Sequence, residues 1–178
     1  RIIQLVNDIL QLSNLDNVSE AGTPLTMETV DLLEVARECV ERQKVNAKRS
    51  FISLTYLGES APVLGSRSLL DELCQNLCDN AIRYNRPGGK VQIITACTRD
   101  GHCSLTVKDN GIGIPKEAQS SVFERFYRVD KSRSKATGGT GLGLAIVKHI
   151  ARIHNARIKL ESEIGEGTTI TVLFETAH

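Results

Sequence analysis

The stretch "KATGGTGLGLAIV", residues 135–147, packs four glycines into six positions and then runs directly into helical periodicity. Glycine is costly to order, so such density beside a helix start marks backbone that turns tightly or approaches a ligand closely. Helix amino termini present unpaired N–H groups and positive dipole potential, and glycines let a phosphate reach them. Two familiar phosphate loops are excluded. No Lys-Ser or Lys-Thr pair closes the stretch as in a Walker loop, and the upstream "RVDKSRSKATGG" is polar and basic where a dinucleotide fold has a hydrophobic strand. A flexible loop followed by a plain helix cap is the bland alternative, and the rest of the chain decides between the two.

The 178 residues suffice for one well-buried core with a short appendage. Lysine and arginine (22) nearly balance aspartate and glutamate (21), which argues against bulk affinity for nucleic acid or acidic membranes. The five cysteines, Cys39, Cys74, Cys78, Cys97 and Cys103, include no Cys-x-x-Cys pair. Cys74 and Cys78 sit one helical turn apart beside leucines. Buried reduced thiols are expected rather than a disulfide framework or zinc site, and with them a reducing compartment. No apolar run approaches the ~18 residues of a membrane span, and no signal peptide is visible. The chain opens on Arg1 already within a helical pattern, which reads as a piece of something longer.

"RIIQLVNDILQLSNLDN" places Ile2, Leu5, Val6, Ile9 and Leu12 on one helical stripe. After the loop "VSEAGTP", the alternation in "LTMETV" predicts a short strand. Asp31 then caps the helix "LLEVARECVERQKVNAK". "FISLTYLG" reads as a strand, and the chain turns at Gly65-Ser66 into a second long helix ending near Asn85–Gly89. "KVQIITACT" and "CSLTVKD", joined through Arg99-Asp100-Gly101-His102, form a hairpin. A short helix follows "NGIGIP"; the glycine cluster opens a helix to about Asn155, and "ARIKLESE" and "GTTITVLFE" close the chain as paired strands. The order predicts an α+β fold, a two-layer sandwich with a mixed five- to six-stranded sheet and three helices on one face, preceded by a partial helix.

In the helix from residue 66 to 85, Glu72, Asn76, Asn80 and Tyr84 recur every four residues beside a stripe of Leu69, Leu73 and Leu77. A solvated face is the commoner explanation of such a line. An Asn carbonyl oxygen is also a hard, neutral ligand suited to a Mg²⁺ that already carries phosphate oxygens. "VKDNGIGIP" ends a strand on Asp109, and Ile112 and Ile114 interleaved with Gly111 and Gly113 could build a slot for a planar base. A carboxylate there can accept a hydrogen bond from an exocyclic amine. "FERFYRVDKSRSK" offers Phe123 and Phe126 as anchors and Arg125, Arg128, Lys131, Arg133 and Lys135 as donors.

Together these stretches resemble the sensor histidine kinases. "NLCDNAIRYN" is similar to their N box, "DNGIGIP" to the first glycine box, "FERFYRVD" to the F box and "GGTGLGLAIVKHI" to the second glycine box, in the right order over residues ~60–175. The resemblance implies a Bergerat-type ATP-binding fold like that of the DNA gyrase ATPase domain, with ATP and Mg²⁺ as cofactors. It implies Asn80, with Asn76 beside it, on Mg²⁺; Arg83 toward the phosphates; Tyr84 beside the adenine; Asp109 on the adenine amine; and Gly113 leaving space for the base. Arg128 and Lys131 would approach the γ-phosphate, with Asn76 and Arg128 carrying the catalysis. Gly139, Gly141 and Gly143 would hinge an ATP lid, and Thr140, Gly141, Leu142, Gly143 and Leu144 would wrap the phosphates with backbone N–H groups.

By the same resemblance, residues 1–17 are the end of the second helix of a dimerisation and histidine-phosphotransfer hairpin, and 18–178 form the catalytic domain. The family implies a response regulator as partner, a homodimer in the full-length parent, a cytoplasmic location and a bacterial membrane receptor as that parent. No nucleic acid partner and no direct membrane contact of this segment are expected. None of His102, His149, His154 and His178 fits the phosphoacceptor position, so the acceptor is expected upstream. "His154-Asn155-Ala156" stands where the family commonly has glycines; a bulkier turn with little bearing on ATP is expected.

Overall fold

A computed structural model describes residues 6, 9, 10, 26–125, 127 and 142–175. Within residues 26–175, the described elements follow the order β1 (Glu28–Asp31), α1 (Leu32–Arg49), β2 (Ser53–Gly58), β3 (Pro62–Gly65), α2 (Arg67–Arg83), β4 (Lys90–Cys97), β5 (His102–Asp109), a short 3-10 turn (Lys116–Ala118), α3 (Gly143–Ile153), β6 (Arg157–Glu163) and β7 (Gly167–Glu175). The main sheet has five strands in the order β2-β4-β5-β7-β6, with β2 and β4 parallel and the other pairs antiparallel. β1 and β3 form a separate antiparallel ribbon. This is the α+β sandwich expected, with β3 the one strand that the sequence reading had merged into a turn.

Period-two burial on the central strands explains the layering. Val91 and Ile93 of β4, Cys103, Leu105 and Val107 of β5, and Ile170, Val172 and Phe174 of β7 are buried, while their neighbours in sequence are only partly covered or exposed. The helices therefore cover one face. Helix α1 contributes Leu32, Val35, Ala36 and Cys39 to that layer, and α3 contributes Leu144, Ile146, Val147 and Ile150. The buried stripe of α2 is Leu70, Leu73, Cys74 and Leu77, with Leu69 only partly buried. The three-four spacing from Leu70 satisfies the helical period better than the four-residue steps from Leu69.

Asp31 caps α1 as expected and does more. One carboxylate oxygen accepts from the N–H groups of Leu33 (3.0 Å) and Ala61 (2.8 Å), and the other from the Ser60 hydroxyl at 2.6 Å. Burial alone would raise its pKa, but these three donors outweigh it and hold the carboxyl below its usual value. Of the first expected helix, Val6, Ile9 and Leu10 are helical and exposed. The division at residue 17 lies outside the described residues.

The cysteine expectation needs correction. Cys39, Cys74 and Cys78 are free, buried thiols, but Cys97 and Cys103 form a disulfide. The hairpin turn sets the β4–β5 register so that Cys97 lies directly opposite Cys103, with Cα atoms 4.0 Å apart. A six-residue separation conceals that pairing until the register is known. Cysteine usage thus gives no argument about the compartment.

The turn after α3 also departs from expectation. Asn155 takes the left-handed conformation, φ 53°, in which a glycine is usual. That frees His154 to turn inward, where it is buried against the edge of Phe174. Its Nδ1 lies 2.7 Å from the Ile150 carbonyl and donates to it, so Nε2 accepts from the Ser66 N–H at 3.0 Å. Gly65 is required beside it, because a Cβ there would stand 2.8 Å from the imidazole. His154 thus closes the amino terminus of α2, which its own Ser66 side chain does not cap.

Two outcomes follow. Unfolded without reductant, the chain exposes three thiols to a thiol reagent, and five after reduction; five at the outset would contradict the hairpin disulfide. Burial lowers the His154 pKa from 6.5, only partly offset by the Ile150 carbonyl, so below that pH the unfolded chain binds more protons than the folded one. Stability is full above pH 6.5 and is lost as pH falls through the depressed folded value. In urea unfolding, His154→Leu costs about 1–3 kcal/mol at pH 7.5, the price of an unpaired buried N–H, and flattens the loss of stability between pH 6.5 and pH 5.

Candidate functional site

The segment after β5 meets the carboxyl end of α2 at the Tyr84 carbonyl, and the start of α3 lies beside Asn76 in the middle of α2. Asp109 is the last residue of β5, paired with Val91 on one side and Thr168 on the other. Its Oδ1 accepts from the Gly111 N–H at 2.9 Å and the Thr168 N–H at 3.2 Å, while no described residue donates to Oδ2. Burial raises its pKa; the two N–H donors oppose that rise without cancelling it. A carboxylate anchored through one oxygen and partly stripped of water presents the other as a strong acceptor.

The segment 111–115 crosses from Asp109 over the end of α2 to the β6–β7 turn. Ile112 N–H donates to the Tyr84 carbonyl (3.2 Å), and the Ile112 carbonyl accepts from Gly165 N–H (3.0 Å). Ile114 N–H donates to the Ser162 hydroxyl at 2.8 Å, and the Gln119 amide donates to the carbonyls of Ile114 (3.0 Å) and Ser162 (3.1 Å). The glycines serve these approaches. A Cβ on Gly111 would stand against the Tyr84 carbonyl, and one on Gly113, whose φ is +76°, against the Glu163 backbone. The place of a Gly113 side chain is therefore taken by the end of β6 and the β6–β7 turn. Ile114 packs against the core, and Ile112 is half-buried.

On α2, Asn76, Asn80, Arg83 and Tyr84 are all partly exposed, beside the buried stripe. The Asn76 side-chain N–H donates to the Glu72 carbonyl at 2.9 Å. That turns its Oδ1 toward the start of α3, 3.5 Å from where a Gly143 Cβ would be. Arg83 pairs with Asp79 one turn back, at 3.2 Å. Leu142 and Leu144 bury their side chains in the core, and α3 opens with Ile146 N–H donating to the Leu142 carbonyl at 2.9 Å. The N-cap residue Leu142 offers the first turn no side-chain hydrogen bond. Phe123 packs against the core as an anchor, and Arg125 lies 3.2 Å from the His149 ring. Phe126, Arg128, Lys131, Gly139, Thr140 and Gly141 lie outside the described residues.

The residues present fit an adenine nucleotide with Mg²⁺. The anchored Asp109 carboxylate matches an exocyclic amine, and the N–H groups at the start of a helix suit a phosphate. No group of three or more His, Cys, Asp or Glu among the described residues could hold a metal. A Mg²⁺ here would depend on amide oxygens such as those of Asn80 and Asn76 together with ligand oxygens. Sequence reasoning missed Thr168, Arg86, Ser162 and Gln119. Thr168 carries no local signal, since only the β5–β7 register brings it to Asp109.

Residues 65–178 match the model of the histidine kinase-, DNA gyrase B- and HSP90-like ATPase family. The chain belongs to this family. The sensor-like histidine kinase SenX3 of Mycolicibacterium smegmatis is 44% identical over 97% of the chain, which covers 44% of that protein. The solved structure of the mycobacterial sensor histidine kinase MprB superposes with a TM-score of 0.72 at 32% identity, over 84% of this chain and 97% of that one. ShkA, solved at full length with AMPPNP, gives a TM-score of 0.82 at 26% identity, over 99% of this chain and 36% of that one. The chain thus spans less than half the length of the curated relatives it matches. The family is one of ATPases, and this fold carries its ATP-binding domain.

Asp109→Asn isolates the anchored carboxylate. The amide oxygen can still accept from Gly111 and Thr168, so the fold is kept, but its NH₂ then faces the amine of adenine. ATP affinity measured by calorimetry falls about ten- to a hundredfold, the worth of a buried charge-assisted hydrogen bond. Unchanged affinity would remove Asp109 from the site.

Proposed function

We propose that this chain is the ATP-binding catalytic part of a sensor histidine kinase, which delivers a γ-phosphoryl group to a histidine on a hairpin to which residues 1–17 contribute. The observation that carries this is the Asp109 carboxylate, tied through Oδ1 to Gly111 and Thr168 with Oδ2 left to recognise adenine. When bound, ATP supplies the phosphoryl group and Mg²⁺ neutralises the charge on its oxygens. Asn80 and Asn76 hold the metal through their amide oxygens, Arg83 and Tyr84 flank the nucleotide, and Arg128 and Lys131 offset charge at the γ-phosphate. The N–H groups of residues 140–144 wrap the phosphates, with Gly139, Gly141 and Gly143 as the lid hinge. Positioning and charge neutralisation thus supply most of the catalysis.

The acceptor is not one of this chain's described histidines. His154 is buried with both ring nitrogens hydrogen-bonded, His102 begins β5, and His149 faces Arg125. In the parent protein the hairpin also forms the homodimer, and a response regulator receives the phosphoryl group. No described helix is long and apolar enough to cross a membrane.

The chain binds ATP in a Mg²⁺-dependent manner but takes up no label from γ-labelled ATP. Acid-labile label on any of its histidines would overturn the assignment. Asn80→Ala lowers ATP affinity in Mg²⁺ toward the metal-free value while leaving metal-free binding unchanged, because a methyl group cannot replace a directional amide oxygen. Equal ATP affinity with and without Mg²⁺ in both proteins would show that the amide face is merely solvated.

A further inference from the structure

Arg86 stands just outside the N box, the residue after Asn85 and three beyond the end of α2 at Arg83. Its backbone is fixed by the turn: its N–H donates to the Asn85 side-chain oxygen at 2.8 Å, and its carbonyl accepts from Gly89 N–H at 2.9 Å. Asn85 is held in turn by a hydrogen bond from its amide to the Lys90 carbonyl, 3.1 Å. From this base the guanidinium reaches across the surface. One nitrogen, Nη2, donates to the Gly111 carbonyl at 3.1 Å and to the Gly165 carbonyl at 3.0 Å.

These two carbonyls belong to segments far apart in sequence. Gly111 begins the segment that covers the base end of the site, and its own N–H is one of the two donors that anchor Asp109. Gly165 sits in the β6–β7 turn with φ +83°, and its carbonyl accepts from Arg86. Its N–H donates to Ile112. A single cation thus joins three pieces: the end of α2, the segment after Asp109 and the β6–β7 turn. A positive donor between two converging carbonyl dipoles is a charge-assisted bond, and the second proton of the same nitrogen makes the two contacts mutually orienting.

We propose that Arg86 is a positioning residue for the base end of the nucleotide site: by clamping the Gly111 and Gly165 carbonyls it holds the segment 111–115 in the form that aims Asp109 at adenine. The proposal rests on the nucleotide reading of the site. The Arg86 guanidinium donates to the Gly111 and Gly165 carbonyls, and neither belongs to the amide face of α2. Removing Arg86 therefore weakens everything that carries adenine by one common factor and leaves the metal-dependent part alone. Because the guanidinium is solvent-exposed, the effect is moderate, about five- to tenfold.

The test uses Arg86→Ala and Arg86→Lys, with ATP, ADP and GTP titrated with and without Mg²⁺. Arg86→Ala weakens ATP and ADP equally by about five- to tenfold. The Mg²⁺-dependent ratio stays as in the wild type, and the preference for ATP over GTP falls. Arg86→Lys, which keeps a cationic donor with a shorter reach, recovers most of the loss. In the nucleotide-free proteins, amide exchange at Gly111 and Gly165 quickens in Arg86→Ala while that of Ile93, in the core of β4, does not. Equal ATP affinity in wild type and Arg86→Ala, or a loss confined to the Mg²⁺-dependent part, overturns the positioning role. Exchange that quickens at Ile93 as well overturns it in favour of a general loss of stability. A wild type that binds no ATP, with exchange at Gly111 and Gly165 still responding, overturns the nucleotide reading and leaves the clamp standing.

Discussion

The Asp109 carboxylate, held through one oxygen by two backbone N–H groups, is the constraint on which the site depends. One N–H comes from the segment immediately after β5, the other from β7, so the side chain can be aimed only when the β5–β7 register is correct. Gly167, at the start of β7, is required for the same reason: a Cβ there would collide with the Asp109 backbone. Sheet pairing and the aim of this side chain are thus one geometrical fact. Burial disfavours the charged carboxyl, which makes the unshared oxygen a place where a donor from a ligand recovers free energy that folding left unrecovered.

Helix α2 serves the core and the site at once. One face buries Leu70, Leu73, Cys74 and Leu77; the adjoining face carries Asn76 and Asn80. The hydrogen bond to Cys39, and after it burial, push the Cys74 and Cys78 thiols up, so both remain neutral. The helix is fixed at both ends by other elements. At its start the Ser66 N–H donates to His154, which follows α3; at its end the Tyr84 carbonyl accepts from Ile112. The amide face therefore keeps its place relative to both α3 and the segment after Asp109.

Much of this was legible in the sequence because the chemistry is local. The helices and main strands announced themselves through period, Asp31 through its place before an apolar run, and the site through boxes in which amides, a carboxylate and glycines fall at fixed spacings. What was not legible depends on register and tertiary approach. The Cys97–Cys103 pair needed the hairpin register, Thr168 needed β5 beside β7, and β3 needed β1 as its partner. His154 read as a bulky stand-in for a glycine because a turn residue gives no sign of the helix terminus it will meet. What Gly111 and Gly113 face was not legible either: the backbone of Tyr84 and Glu163 lies where their side chains would be.

The most direct test is a crystal structure of the chain with Mg²⁺ and a non-hydrolysable ATP analogue. The account predicts the adenine amine about 2.7–3.2 Å from Asp109 Oδ2, with Oδ1 still bound to the N–H groups of Gly111 and Thr168, and Mg²⁺ on the Asn80 amide oxygen. An analogue whose base lies away from Asp109, or whose metal is held without Asn80, would contradict it.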